Sequence, residues 1–131
     1  MFESLLRRLQ ERFPQSAFAS TPQTVTFPSA HPDVGGIEIV EDGPELIVYL
    51  GNFTHAHFAN YDESLSAEQA AESISENVIT LLEDVFADRI VLWGSHRGGG
   101  GYYMRGEQPS SFFARNRGQE YVWSGPISSQ G

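Results

Sequence analysis

The sequence predicts an α+β fold: a mainly antiparallel sheet of about six to eight short strands with two helices packed on it. Three observations predict it. Two segments repeat apolar residues at helical spacing, several short runs are bounded by turn residues, and the order along the chain is helix, strands, helix, strands. At 131 residues with 40% hydrophobic and 12% aromatic content, the chain has material for one domain over residues 1–131 and one packed core.

Phe2, Leu5, Leu6, Leu9 and Phe13 form the apolar stripe of a first helix over about 2–13, with Arg7, Arg8 and Glu11 off the stripe. Pro14 ends it, because its ring removes a backbone donor and constrains the preceding residue. A short strand fits Thr24–Phe27 between prolines. Two further strands, Ile37–Glu41 and Glu45–Leu50, flank the turn signature Asp42-Gly43-Pro44. Gly51-Asn52 reads as a two-residue hairpin loop leading to a third strand from Phe53 towards Tyr61.

The second helix, about 66–87, opens on a capping box, Ser66 with Gln69 three residues on. Its apolar face runs through Ile74, Val78, Leu81, Leu82 and Val85, and Glu68, Glu72, Glu76 and Glu83 lie largely off that face. Arg89–Trp93 then reads as a buried strand with Tyr102–Arg105 as its partner. Asn116-Arg117-Gly118 reads as a hairpin loop between Phe112–Arg115 and Gln119–Trp123, and residues 124–131 as a frayed tail.

Composition narrows function by exclusion. There is no cysteine, which removes disulfides, thiolate–metal sites and cysteine nucleophiles. No apolar stretch is long enough to span a membrane, and the N-terminal segment lacks a secretory apolar core, so a cytoplasmic protein is the default expectation. No serine sits in a nucleophile elbow, and no catalytic residue is assigned.

Charge carries the functional expectation. The net charge is −9 and there is no lysine. Residues 33–88 carry −13 with no lysine or arginine, whereas residues 1–32 carry +1 and residues 89–131 carry +3. A field of that sign repels phosphate backbones and attracts cations. The leading expectation is a non-enzymatic domain, inhibitor-like or regulator-like, that binds a basic protein partner through Glu68, Glu72, Glu76 and Glu83, with no nucleic-acid or membrane partner. Self-association through strand edges is a further route.

The alternative is a small enzyme or a ligand-binding or metal-binding domain built on two constellations. His55 and His57 are two apart on a strand, so both rings share one face and could share one divalent metal, with His31, His96, Asp62 or Glu63 as further donors. A two-residue loop would set Val48 opposite His55 and Leu46 opposite His57, beside an apolar row that favours neutral imidazoles. The second constellation is Ser95-His96-Arg97 followed by Gly98–Gly101, where glycine backbone and Arg97 could hold an anion. No cofactor is expected beyond that metal.

Overall fold

The computed structural model describes residues 2–60, 62–95, 99–107 and 119–127. Helix α1 (Phe2–Arg12) is followed by strands β1 (Ala19–Ser20), β2 (Thr24–Phe27), β3 (Ile37–Asp42), β4 (Glu45–Leu50) and β5 (Thr54–Phe58). Helix α2 (Ala67–Phe86) leads to β6 (Ile90–Ser95), β7 (Gly99–Met104), β8 (Glu120–Val122) and β9 (Gly125–Pro126). The α+β class and the element order stand as predicted. The strands form two antiparallel sheets instead of one: β1-β2-β3-β4-β5 and β7-β6-β8-β9.

Local chemistry explains the elements that match. Ser66 caps α2 with both bonds of the capping box: its hydroxyl accepts from Gln69 N–H at 3.1 Å, and the Gln69 side chain accepts from Ser66 N–H at 2.9 Å. Gly43, at φ 59°, opens the two-residue β3–β4 turn ahead of Pro44, leaving Asp42 directly opposite Glu45.

The β4–β5 connection differs from its prediction. It is a three-residue loop, Gly51–Phe53, closed by Phe53 N–H donating to Leu50 O at 3.3 Å. Leu50 therefore pairs with Thr54, and the whole of β5 shifts by one residue against the expected register. Because strand side chains alternate, this shift carries every β5 residue to the opposite face.

The core lies between the helices and the inward face of the larger sheet, and extends to β6. It is built from Leu5 and Leu9 of α1, Val25, Ile39, Val48 and Leu50 of the sheet, Val78 and Leu82 of α2, and Leu92 of β6. The remaining parity positions, including Thr26, Glu38, Val40, Tyr49, His55 and His57, face outward.

Two glycines of the run, Gly100 and Gly101, serve close packing. Gly99–Gly101 belong to β7 and pair with Ser95, Gly94 and Trp93. A Cβ on Gly100 would lie 2.3 Å from the Phe53 carbonyl oxygen, and one on Gly101 would lie 2.7 Å from the Trp93 ring. Glycine at 100 and 101 lets β7 close against both the β4–β5 loop and its own neighbour, whereas a Cβ on Gly99 would meet nothing within 4 Å and Gly98 lies outside the described residues. Within the segment expected to fray, Gly125 and Pro126 pair with Val122 and Tyr121. The expected strand Phe112–Arg115 and its loop lie outside the described residues, as do Tyr61 and residues 128–131.

Candidate functional site

Three of the four glutamates expected to meet a partner are occupied within the chain. Helices α1 and α2 lie side by side, and the arginines off the α1 stripe reach the glutamates off the α2 face. Arg7 pairs with Glu72 at 3.0 Å, Arg8 bridges Glu72 and Glu76, and Arg12 joins Glu76 at 3.0 Å and Glu83 at 2.9 Å. Partner numbers rise together along both helices, so the two run parallel and zip in register. Ser4 adds a hydroxyl to Glu72 at 3.0 Å. Farther along, Arg89 Nε holds Asp84 at 2.8 Å. Only Glu68 of the four has no ion pair among the described residues.

This ladder has a titration signature. Hydrogen bonding from Arg8, then from Ser4, holds the Glu72 carboxyl below its ordinary value of 4.5, and the same contact raises Arg8. A carboxylate with a depressed folded value contributes stability in full above its unfolded value and loses it as pH falls through the folded one. Urea midpoints measured at descending pH should therefore drop below about pH 4.5. Glu72→Gln should flatten that acid limb, and an unchanged limb in this variant would contradict the assignment.

With Glu72, Glu76 and Glu83 of α2 paired, most of the unpaired acidity lies elsewhere. Glu38 and Asp42 on β3 and Glu45 on β4 share the outward face of the larger sheet. Asp42 stands directly opposite Glu45, a like-charge cross-strand pair that costs stability. Beside this turn, Pro44, Asn60, Asp62, Glu63 and Leu65 line an open cavity of about 460 Å³. The strands β1–β5 contain no lysine or arginine. Among the described residues, Glu38, Glu41, Asp42, Glu63 and Glu68 enter no ion pair.

The two strand histidines lie on the same outward face, opposite Tyr49 and Ile47 instead of Val48 and Leu46. Both are exposed, so the desolvation expected to keep them neutral is absent although Ile47 and Tyr49 flank them. His57 Nδ1 lies 2.8 Å from Glu45 Oε1, the His55 and His57 ring centroids are 5.0 Å apart, and Tyr49 lies 5.5 Å from His55. Two of the other suggested donors, His31 and Asp62, are engaged in different places. His31 packs under Gly125, with Nδ1 accepting from Asp33 N–H at 3.1 Å. Asp62 accepts from Ser64 N–H at 3.0 Å and from its hydroxyl at 2.6 Å, and these bonds lower its carboxyl. No group of three or more metal-ligating side chains converges among the described residues. His96, Arg97 and Gly98 lie outside the described residues, and Ser95 is a β6 residue paired with Gly99.

Sequence reasoning missed two features, for which the sequence carries only part of the signal. Arg8 and Arg12 are one helical turn apart, as are Glu72 and Glu76, with Glu83 two turns beyond, which is the spacing of two complementary faces. Glu45, His55 and His57 fall together only in the observed register, and the loop length decides that. No protein-family model matches the chain, nor does any curated protein or solved structure.

Proposed function

We propose that this chain is a non-enzymatic acidic domain that binds a cationic protein partner, and that the outward face of the larger sheet presents the carboxylates. The observation that supports this most directly is the division of charge. The α1 arginines compensate the α2 glutamates, while Glu38, Asp42 and Glu45 stay on one face without an arginine. The opposed Asp42 and Glu45 add support, since a locally unfavourable pair is retained where a ligand relieves it. Tyr49 beside Glu38 adds an aromatic face that suits a guanidinium. The same field disfavours nucleic acid. No helix among the described residues is long and apolar enough to cross a membrane.

An oligoarginine peptide serves as the test probe. Its association rate should fall at least about tenfold from low salt to roughly 0.5 M, because complementary fields accelerate encounter and salt screens them. Amide shifts should map to β3, β4 and β5, and the triple variant Glu38→Gln, Asp42→Asn, Glu45→Gln should slow association at low salt. Association that ignores salt, or shifts confined to α1 and α2, would rule this surface out.

A further inference from the structure

The geometry points to a two-histidine binding site for a borderline divalent transition metal, Cu²⁺ above Ni²⁺ or Zn²⁺, formed by His55 and His57 with Glu45 as a positioning residue. It shares Glu45 and the outward sheet face with the proposed protein-partner surface, but it concerns a different ligand, and titration with the metal ion alone keeps the two tests distinguishable.

Three observations meet at this place. First, the two rings project from the same exposed face of β5, so an ion reaches them without any rearrangement of the core. Second, their separation fits. A metal–nitrogen bond of about 2.0–2.1 Å puts each imidazole centroid roughly 3.2 Å from the ion, so two rings at 90–110° about it stand roughly 4.5–5.2 Å apart. The observed separation is 5.0 Å. Ring orientation adjusts more readily than ring position, because the second side-chain torsion of histidine is soft. Third, Glu45 fixes the tautomer. A carboxylate can only accept, so His57 Nδ1 carries the hydrogen and its Nε2 keeps a lone pair for a ligand. A histidine that donates one ring N–H to a carboxylate while the other nitrogen binds metal is the usual outer-shell arrangement, and it raises ligand basicity.

No third donor converges among the described residues, and a site completed by water exchanges its ion readily. Imidazole suits Cu²⁺, Ni²⁺ and Zn²⁺, and the order of intrinsic affinities places Cu²⁺ first. Glu38 and Asp42 on the same face add a negative field.

The test is calorimetric titration of the full chain with Ni²⁺ and with Cu²⁺, paired with histidine ring-proton NMR to locate the ion. We expect one site, tighter for Cu²⁺, with the His55 and His57 ring signals broadened first. His55→Ala and His57→Ala should each weaken binding by at least about tenfold, and Glu45→Gln by about tenfold. Glu38→Gln removes the same charge from the same face without touching His57, and should change affinity by less than about threefold; an effect equal to that of Glu45→Gln would overturn the positioning role. Binding that survives His55→Ala unchanged, or that broadens His31 or His96 first, would overturn the site. All four substitutions are at sheet-surface positions, and circular dichroism of each variant separates lost binding from lost fold.

Discussion

Gly51→Ala is expected to lower the unfolding free energy by about 2–5 kcal/mol, the largest effect predicted for a single substitution. Two costs add. Gly51 has φ 57°, in the left-handed region, where a residue with a Cβ loses roughly 1–2 kcal/mol. The new Cβ would also lie 2.1 Å from the Val34 carbonyl oxygen, a backbone atom that cannot rotate away. That oxygen accepts from Asn52 N–H at 2.9 Å, and Gly51 N–H donates to Gly36 O at 2.9 Å, so the clash pries apart two loops that hold each other. Overpacking of this kind costs about 1–3 kcal/mol. Gly43→Ala supplies the comparison. Its φ is 59°, but a Cβ there meets nothing within 4 Å, so only the backbone cost applies. Denaturant titration of both variants separates the costs, and equal losses would mean that the loop contact contributes nothing.

Asp88→Ala is expected to cost about 2 kcal/mol. Helix α2 ends with Asp88 N–H donating to Val85 O at 3.0 Å and Arg89 N–H donating to Asp84 O at 2.9 Å, with Asp88 at φ 60°. This is the Schellman closure, in which glycine normally takes the left-handed position. Aspartate holds it here because its carboxylate also accepts from Ser124 N–H at 3.1 Å and from the Ser124 hydroxyl at 2.6 Å, tying the β8–β9 turn to the helix end. Alanine loses those bonds and keeps the strained backbone. Asp88→Gly loses the bonds but relieves the backbone, so it should be more stable than Asp88→Ala by about 1 kcal/mol and still below the parent. Thermal melts rank the three proteins. A glycine variant more stable than the parent would show that the Ser124 bonds do not offset the backbone strain.

The features legible in the sequence were those decided by neighbours along the chain. The α2 boundaries follow from Ser66, Gln69 and the apolar periodicity, and β2 follows from four residues between prolines. The histidine face was illegible because it turns on whether Phe53 belongs to the loop or to the strand, a question settled by Gly51 packing on Val34. The glycine run was ambiguous for a similar reason: the close approach of Gly100 to Phe53 and of Gly101 to Trp93 calls for the same residue as an anion cradle. The charge ladder was hidden by distance, since Arg8 and Glu72 are 64 residues apart and nothing local marks them as partners. Summing charge by segment therefore overstated the negative field around α2 and left the sheet as the better place for it.

The parallel ladder between α1 and α2 also has a consequence for biosynthesis. Helix α1 is made first, yet its partners lie 64–71 residues downstream. At translation rates of about 5–20 residues per second, its apolar stripe waits roughly 3–14 s on the ribosome before α2 exists to cover it. During that interval Leu5 and Leu9 are open to chaperones or to neighbouring nascent chains, while Arg7, Arg8 and Arg12 give the emerging segment a positive charge that the α2 glutamates balance in the finished molecule.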